Sequence, residues 1–456
     1  MRIKKLIKKH DIKTNSKEIK KGDIFVCTLG NYDKTKYISD AKKKGSSLVI
    51  TDDNYKEGEK VYKVHDINNY LREILDYKYD YPLENKTLIG ITGTDGKTTT
   101  ASIIRDLLNG ASIGTNGLEW EEFSQELHNT TPSLDTLFKC FNLINKEKIN
   151  NIVMEVSSES YLTKRIPTLK FDVGVFLNIS EEHLDKHKDF DNYLLCKKEL
   201  LQNSKIKIIN KDSPYFNKIV SGLENYLTYG HAKSDLEILK YKLSFDKTII
   251  KFKYLGKIYH ITSPYLGKYN VDNLMASILV LLSLNYDINN IIGRINNLQT
   301  IKGRMEKITR NGKNIFIDYA HTLNATNEIL KFLHKYSHKN LITVIGCAGD
   351  RYKEKRPLIG KIALKYSKIV IFTKDDPRGE DVNEIINEML SKTKKKNYFS
   401  VISRKNAIFM AINMAKENDL VVILGKGRDN YMAIGDKHIL YSDIYTINEY
   451  FTYQDM

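Results

Sequence analysis

The chain has 456 residues, of which 41% are hydrophobic and 10% are aromatic, and it contains only 7 prolines. This composition suits a folded protein of about three domains, and it excludes a single small module, a collagen-like chain and an intrinsically disordered one. Its 72 Lys and Arg residues outnumber its 56 Asp and Glu residues, which gives a net charge of +16. Such a charge suits phosphate-bearing ligands, nucleic acid or acidic lipid, or it only keeps the surface soluble.

The cysteines and the apolar segments indicate where the protein resides. Cys27, Cys140, Cys196 and Cys347 lie far apart and form no C-x-x-C pair, which disfavours a disulfide framework and a zinc site. The basic N-terminus lacks the apolar run of a signal peptide, and the longest apolar stretch, 276–284, is too short to span a bilayer. We therefore expect a cytoplasmic protein without membrane insertion.

Residues 1–85 are predicted to form a small N-terminal α/β domain. Short buried strands are predicted at 22–26 and 47–51, with a helix at 37–44 between them. The polar, proline-containing stretch 77–86 is predicted to be a linker.

Residues 86–303 are predicted to form the central domain. Strands alternate with helical segments, which is typical of a mainly parallel sheet covered by helices; the predicted strands are 88–92, 152–156, 173–178 and 206–210. Between 236 and 261 apolar and polar residues alternate, which predicts an added antiparallel meander. Residues 304–456 are predicted to form a C-terminal Rossmann-like domain with strands at 315–318, 341–346, 369–373 and 421–424.

A glycine-rich loop predicts nucleotide binding. Residues 90–100 read GITGTDGKTTT and connect an apolar strand to a helical segment that begins near Lys97. Backbone N–H groups at the glycines can surround phosphate oxygens, Lys97 can reach the β- and γ-phosphates, and the Thr98 hydroxyl can bind Mg²⁺. Ile91 stands where the usual P-loop has its first glycine, so this loop is a shorter form. The predicted ATP-binding residues of the loop are Gly93, Thr94, Asp95, Gly96, Lys97, Thr98 and Thr99. The predicted fold class is thus α/β, with a P-loop ATPase-like central domain between the two flanking domains.

This loop resembles that of the Mur ligases, ATP-dependent amide-forming enzymes of peptidoglycan precursor synthesis, to which folylpolyglutamate synthetase is similar. Further segments that resemble the family follow in order: NTTP at 129–132, MEVSSES at 154–160, NISEEHLDKH at 178–187, GKYNVDN at 267–273, GRME at 303–306, DYAHT at 318–322, GCAGDRYKEKRP at 346–357, DDPRGED at 375–381 and GKGRDNY at 425–431. The NTTP, GDR, DNPR-like and GKG segments resemble the MurE-type branch, which adds the third amino acid to UDP-N-acetylmuramoyl-L-alanyl-D-glutamate.

The resemblance implies a chemistry and a set of catalytic residues. Transfer of the γ-phosphoryl group of ATP to a carboxylate gives an acyl phosphate that an amine displaces, and cations around that phosphate lower the barrier. The implied catalytic residues are Lys97, Glu155, His183 and Lys197, and the implied Mg²⁺ ligands are Thr98, Glu155, His183 and a CO₂-derived carbamate on Lys197. Spacing from His187 favours Lys197 over Lys198.

The resemblance also assigns contacts to the rest of the nucleotide. It implies Asn270 and Asn273 near the base, Arg304 at phosphate and Asp318 at the ribose. For Asn270, helix capping is an alternative. Closure of the third domain over this site would exclude water from the acyl phosphate.

For the acid substrate, the resemblance implies contacts from Ser16, Thr130, Thr131, Ser157, Thr163 and Arg165. This chain departs from the MurE-type pattern at two positions, because Glu159 replaces a histidine and Thr163 replaces a glutamine. These departures leave open a Mur-like ligase that acts on another carboxylate. The resemblance places Ser16 near the entry for the uridine part of this substrate, so the first domain would bind the UDP part. Ser16 is alternatively a simple turn residue.

For the incoming amino acid, the implied contacts are Arg351, Asp375, Asp376, Pro377, Arg378, Gly425 and Asp429. Asp429 replaces the family's glutamate, and Asp376 replaces the asparagine of DNPR. A pocket with both arginine and carboxylates favours meso-diaminopimelate over L-lysine, because Arg378 would be unpaired opposite a lysine ammonium. The additional charge of Asp376 instead favours a bare ammonium.

A nucleotide-regulated nucleic-acid-binding protein is an alternative from another class. The chain lacks an evident basic and aromatic platform or helix-turn-helix pattern, so we expect no nucleic-acid partner. We expect the enzyme to act as a monomer.

Overall fold

The computed structural model describes residues 2–28, 34–52, 60–182, 184–231, 233–336 and 340–454. Within these ranges the chain forms three helix-covered sheets and a small hairpin. Each sheet with its helices is called a unit: the first, the central and the third unit, in chain order. The first sheet has four parallel strands, β1 (Ile12–Lys13), β2 (Ile24–Val26), β3 (Leu48–Thr51) and β4 (Val61–Lys63), in that order. Its helices are α1 (Arg2–Lys9), α2 (Thr35–Lys43) and α3 (Ile67–Lys78), with a 3-10 helix at Ser16–Glu18.

Alternation along β2 explains how this small sheet is covered. Ile24 and Val26 pack on one face with α1 and α3, whereas Phe25 packs on the other face with α2. Successive side chains of a strand point to opposite faces, so each face is apolar and needs its own helices.

The second sheet has eleven strands in the order β15-β14-β13-β12-β11-β10-β5-β9-β6-β7-β8. The strands are β5 (Thr87–Thr92), β6 (Ala111–Gly114), β7 (Gly117–Trp120), β8 (Phe123–Gln125), β9 (Asn151–Glu155), β10 (Phe171–Phe176), β11 (Ser204–Asn210), β12 (Tyr226–Gly230), β13 (Leu236–Leu243), β14 (Thr248–Tyr254) and β15 (Lys257–Ser263). The seven strands from β13 to β6 run parallel, and both edges are extended by antiparallel strands.

Helices cover this central sheet. They are α4 (Lys97–Leu108), α5 (Leu134–Lys146), α6 (Ser158–Leu162), α7 (Leu184–His187), α8 (Phe190–Gln202), α9 (Phe216–Val220), α10 (Lys268–Ser283) and α11 (Ile288–Ile295). The apolar α10 and α4 pack together in one core with alternate residues of the parallel strands. Residues of α5 pack in a second core, which also receives α3 of the first unit.

The third sheet has the order β16-β17-β21-β18-β19-β20, in which β16 is antiparallel and the other strands are parallel. Its strands are β16 (Glu306–Arg310), β17 (Lys313–Asp318), β18 (Leu341–Ile345), β19 (Ile369–Phe372), β20 (Tyr398–Ser400) and β21 (Leu420–Leu424). One face carries α12 (Leu323–Tyr336), α13 (Arg356–Tyr366) and α14 (Val382–Leu390), and the other carries α15 (Arg404–Met414) and α16 (Asp443–Gln454). Strands β22 (Tyr431–Ile434) and β23 (Lys437–Leu440) form the hairpin.

The predicted fold class is confirmed, including the antiparallel meander β13 to β15. The predicted linker is shorter than expected, because α3 continues to Lys78 and β5 begins at Thr87. The division at 85/86 and 303/304 stays a prediction. Within the described part of the chain, no helix is both long and apolar enough to cross a membrane.

Candidate active site

A cavity of about 750 Å³ lies where the carboxyl ends of the central strands face the third unit. Its wall includes the loops after β5, β9 and β10 of the central sheet and the loops after β17, β18, β19 and β21 of the third sheet. In parallel α/β sheets ligands bind at the carboxyl ends of strands, because the loops that follow them gather there. This cavity is therefore the candidate active site.

The glycine-rich loop joins the buried β5 to α4. Gly96 caps α4 with a φ of 87°, a backbone conformation that favours glycine. A Cβ at this position would also overlap the Asn273 side chain. The Lys97 Nζ donates hydrogen bonds to the carbonyl oxygens of Gly93 (2.8 Å) and Thr94 (3.0 Å). Burial lowers the pKa of Lys97, although the charges of Glu155 and Asp95 oppose that effect. The ammonium group thus forms hydrogen bonds with its own loop.

Asn178 and Thr322 hold Asp95 of the loop. The Asp95 N–H donates to Asn178 Oδ1 (2.9 Å), and Asn178 Nδ2 donates back to the Asp95 carbonyl oxygen (3.0 Å). Thr322 of the third unit donates to Asp95 Oδ1 (3.0 Å), whereas the buried Oδ2 has no hydrogen-bond partner in the described part of the chain. Burial raises the pKa of Asp95, and the bond from Thr322 and the nearby lysine charges oppose that shift.

Glu155 ends β9 and is only 2% exposed. Its Oε2 accepts a hydrogen bond from the Thr98 hydroxyl (3.1 Å), and its Oε1 accepts one from the Thr115 N–H (2.9 Å). A Cβ at Gly114, on the neighbouring β6, would overlap the Glu155 carboxylate. The predicted metal ligands Thr98 and Glu155 therefore lie side by side.

Lys197 lies on α8 beneath the glycine-rich loop and is also 2% exposed. Its Nζ donates to the Gly93 carbonyl oxygen (2.8 Å) and lies 4.7 Å from the centroid of the Tyr193 ring. Burial, and next the positive charge of Lys97, place the pKa of Lys197 well below its ordinary value. The neighbouring Lys198 points elsewhere, with its Nζ 3.3 Å from the Lys218 carbonyl oxygen.

His183, the other predicted metal ligand, lies outside the described residues.

The third unit reaches the phosphate loop through Arg304. Its Nη2 donates to the Thr98 hydroxyl (3.0 Å), and its guanidinium lies 4.6 Å from the Tyr319 ring centroid. Asp318 is fixed by backbone N–H groups, since Met305 donates to Oδ2 and Ala320 donates to Oδ1, both at 2.7 Å. The segment before β16, which contains Arg304 and Met305, is therefore joined to the end of β17 at the site.

Asn270 and Asn273 lie within α10, whose N-cap residue is Gly267, so Asn270 does not cap the helix. Asn270 Nδ2 donates to the Leu266 carbonyl oxygen (2.8 Å), and Asn273 Nδ2 donates to Asn270 Oδ1 (3.1 Å). Both asparagines line the cavity.

The residues predicted to bind the acid substrate lie on the β9 side of the loop. The Thr131 hydroxyl donates to the Glu155 carbonyl oxygen (2.9 Å) and accepts from the Ser157 N–H (2.9 Å). Arg165 donates to the Thr131 carbonyl oxygen (2.7 Å) and to the Thr163 hydroxyl (2.9 Å). Thr130, Ser157 and Arg165 line the cavity. Thr131 and Thr163 do not line it, but they form hydrogen bonds with Ser157 and Arg165.

Glu159 sits beside this group and pairs with two cations. Its Oε2 lies 3.7 Å from Arg165 Nη2, and its Oε1 pairs with Lys186. Burial alone would raise the pKa of Glu159, but the hydrogen bond from Lys186 and the surrounding positive charges outweigh it, so the pKa is lowered. The departure at 159 thus places an ionised carboxylate in the cavity wall.

Ser16 belongs to the first unit and does not line the cavity. It is buried at the start of the 3-10 helix in the first unit, and its carbonyl oxygen accepts a bond from Lys44 Nζ (3.0 Å). The described residues that line the cavity belong to the central and third units.

The residues predicted to bind the amino acid converge at the carboxyl edge of the third sheet. Six of the seven line the cavity: Arg351, Asp375, Asp376, Arg378, Gly425 and Asp429. Pro377 stands behind them, where its carbonyl oxygen accepts the Glu380 N–H (2.9 Å). The structure therefore combines arginine and carboxylate groups in one pocket.

The fully buried Lys426 organises the carboxylates of this pocket. Its Nζ lies 2.7 Å from Asp376 Oδ1, 3.4 Å from Asp429 Oδ2 and 3.9 Å from Asp375 Oδ1. The same Asp376 oxygen accepts the Ala433 N–H (3.0 Å). Burial raises the pKa of Asp429 to about 6; Lys426 opposes the shift, and Asp376 adds to it. One oxygen of Asp376 is therefore engaged by a lysine that Asp375 and Asp429 share.

Several residues that shape the candidate site were not predicted individually. Lys426 and Thr322 belong to quoted motifs, so the motifs carried a signal for them. The ion pair between Lys355 of the third unit and Glu182 of the central unit (3.0 Å) joins residues 173 positions apart, which no local pattern reveals.

Comparison with known proteins gives consistent matches. Residues 91–281 match the Mur ligase middle domain, and residues 303–427 match the Mur ligase, glutamate ligase domain. A UDP-N-acetylmuramoyl-L-alanyl-D-glutamate--2,6-diaminopimelate ligase 1 of Clostridium acetobutylicum is 35% identical, over 96% of this chain and 93% of the relative. A solved structure of a UDP-N-acetylmuramoyl-L-alanyl-D-glutamate--2,6-diaminopimelate ligase aligns with a TM-score of 0.67 and 25% identity, and covers 98% of this chain and 95% of its own. The MurF ligase of Thermotoga maritima, solved in complex with ADP, shares the fold with a TM-score of 0.65 and 21% identity, over 92% of this chain and 94% of its own.

Proposed function

This chain belongs to the Mur ligase family of ATP-dependent amide-forming ligases, and from that premise we propose that it adds meso-diaminopimelate to UDP-N-acetylmuramoyl-L-alanyl-D-glutamate. The names of the relatives give the same acid and 2,6-diaminopimelate for those proteins. The product of this chain would then be a peptidoglycan precursor. ATP would phosphorylate the acid, and the amine would then displace phosphate. A UDP-linked substrate and ATP fit a cytoplasmic enzyme, and we propose that it acts as a monomer with domains at 1–85, 86–303 and 304–456.

One observation carries the proposal: the Thr98 hydroxyl is in contact with both Glu155 of the central unit and Arg304 of the third unit. An acid-activating ligase needs positive charge on several sides of the transferred phosphoryl group. Lys97 of the central unit and Arg304 of the third unit would meet that need from two sides.

The side chains present fit Mg²⁺. The hydroxyl of Thr98 and the carboxylate of Glu155 are adjacent hard oxygen donors, and Asp95 Oδ2 is a further buried oxygen without a partner in the described part of the chain. Mg²⁺ typically takes one or two carboxylates and completes its shell with phosphate oxygens and water. Thr98, Glu155 and His183 would hold it, and it would neutralise charge on the transferred phosphoryl group.

The surroundings of Lys197 support its carbamylation. Addition of its neutral amine to CO₂ forms an N–C bond, releases one proton and leaves an anionic carbamate. Burial and the charge of Lys97 favour that neutral amine. The resulting anion would lie near Lys97, whose positive charge would stabilise it.

The amine pocket supports a zwitterionic distal group. Arg351 and Arg378 provide cations for a carboxylate, and the acidic residues provide acceptors for an ammonium group. Asp376 does not shift this balance towards lysine, because Lys426 and the Ala433 N–H already occupy one of its oxygens.

The test is an amino-acid panel with purified protein, ATP, Mg²⁺ and UDP-N-acetylmuramoyl-L-alanyl-D-glutamate, read by product mass. The proposal expects a tripeptide product with meso-diaminopimelate and little with L-lysine. Equal turnover of both amino acids would refute the pocket assignment. Phosphate release with other acids but not with this dipeptide would refute the acid assignment and favour a Mur-like ligase of different substrate.

A further inference from the structure

Two arms of the cavity extend from Lys97 in opposite directions along the central sheet. One arm passes Glu155 on β9 towards Arg165 and the arginines of the third unit, where an acid and a second carboxylate would bind. The other arm follows the ends of β10, β11 and β12 and reaches the start of α10. Because the first arm is suited to the reacting substrates, the base of the nucleotide would occupy the second.

The length of the second arm fits a nucleotide. Strand β12 is three strand positions from β5 in the sheet order. With neighbouring strands ~4.8 Å apart, the two strand ends are separated by roughly 14 Å. An extended nucleoside triphosphate with its phosphates at Lys97 would place its base near Asn210, the last residue of β11, and Tyr229, the next-to-last residue of β12.

An acceptor without a donor lies at the end of this arm. Asp272 lines the cavity, and its Oδ1 is buried with no hydrogen-bond partner among the described residues. Burial raises the pKa of Asp272 to about 6; Lys268 opposes the shift, and Asp212 adds to it. A buried carboxylate oxygen without a partner carries an energetic cost that a ligand donor would remove.

Some neighbouring polar groups are engaged, whereas the buried hydroxyls of Tyr229 and Tyr269, which also line the cavity, have no hydrogen-bond partner among the described residues. Asn270 and Asn273 bond to each other and to the Leu266 carbonyl oxygen. Glu328, the other acid of this arm, accepts a bond from Asn327 Nδ2 (3.3 Å). Among the described carboxylates of this arm, Asp272 is therefore the one with a buried oxygen that lacks a partner. Its carboxylate only accepts hydrogen bonds, whereas the two tyrosine hydroxyls can also donate.

We infer that Asp272 is a specificity-determining residue that selects a 6-aminopurine nucleotide by accepting a hydrogen bond from its exocyclic amino group. An ionised carboxylate only accepts hydrogen bonds, so it pairs with the 6-amino group of adenine and opposes the 6-oxo group of guanine. This inference rests on the proposed use of ATP and adds the residue that would distinguish ATP from GTP.

The test is equilibrium binding of ATP, GTP and purine riboside triphosphate, which lacks the 6-amino group, to the full chain with Mg²⁺ and no acid substrate. For the wild type we expect ATP to bind about 10- to 100-fold more tightly than the purine analogue. Asp272→Ala should bind ATP and the analogue with similar affinity, and Asp272→Asn, which can also donate, should narrow the preference for ATP over GTP. Asp191→Asn, which changes an exposed carboxylate of α8 outside the cavity, is the control and should keep the wild-type preference.

Equal affinity of the wild type for ATP and the analogue would overturn the inference. So would an undiminished preference in a folded Asp272→Ala protein, or loss of the preference in Asp191→Asn. Absence of any ATP binding to the wild type would overturn the proposed function as well, so the two failures are distinguishable.

Discussion

At the scale of single residues, two adjacent lysines provide a matched pair. Lys197 faces the glycine-rich loop, whereas Lys198 faces the segment around Lys218. If Lys197 carries a carbamate, Lys197→Ala should lower kcat by about 10- to 100-fold, as loss of groups that support a metal typically does. Short carboxylic acids should restore part of that activity. Lys198→Ala should keep most of the activity and gain nothing from added carboxylic acids; equal losses without rescue would refute the carbamate.

Asp429 gives a pH prediction. Its pKa is raised to about 6, so the carboxyl is neutral below that pH and ionised above it. Only the ionised form can pair with the ammonium of the amino acid. We expect kcat/KM for meso-diaminopimelate to fall as the pH decreases through about 6, with little change in kcat at saturating amino acid.

Asp429→Asn serves as the control for this titration. It should have a low kcat/KM throughout and lose the step near pH 6. An unchanged pH profile in this variant would show that another group titrates.

At the scale of elements, β6 and β9 together position Glu155. A Cβ at Gly114 would overlap the Glu155 carboxylate, so Gly114→Ala must displace that side chain. We expect kcat to fall about 100-fold, the effect of a displacement of about 1 Å in an active site. Steady-state kinetics would measure the fall in kcat, and thermal unfolding would measure any change in stability separately.

Gly293 is the matched control in α11. A Cβ there meets nothing within 4 Å. Gly293→Ala should raise the free energy of unfolding by about 0.5–1 kcal/mol, because alanine is favoured over glycine inside a helix, and kinetics should be unchanged. Full activity in Gly114→Ala would contradict the positioning role.

The long apolar elements could be predicted from the sequence, and the short ones could not. Periodicity identified β5 and the meander β13 to β15 because long runs of buried or alternating residues carry a clear pattern. Strands such as β1, with two residues, and β8, with three exposed residues, have too little pattern of their own. They exist because a neighbouring strand supplies hydrogen bonds, which is a tertiary effect.

At the scale of the whole molecule, the units are joined around the cavity. Thr322 bonds to Asp95, and Lys355 pairs with Glu182, in addition to the contact of Arg304 with Thr98. The first unit is joined to α5 instead, where Thr14 donates to Asp135 (2.7 Å).

The motifs identified most residues that line the cavity, but not the pairings between units, since these join positions far apart in the chain. Ser16 belongs to the first unit, so its proposed contact with the UDP part would lie away from the cavity.

The central claim is that ATP activates the substrate acid as an acyl phosphate. The most direct measurement uses UDP-N-acetylmuramoyl-L-alanyl-D-glutamate labelled with ¹⁸O in the reacting carboxylate, together with ATP, Mg²⁺ and meso-diaminopimelate. The mass of the released inorganic phosphate is then determined. The account predicts that one ¹⁸O atom is transferred to phosphate for each amide formed. Amide formation with unlabelled phosphate would contradict it.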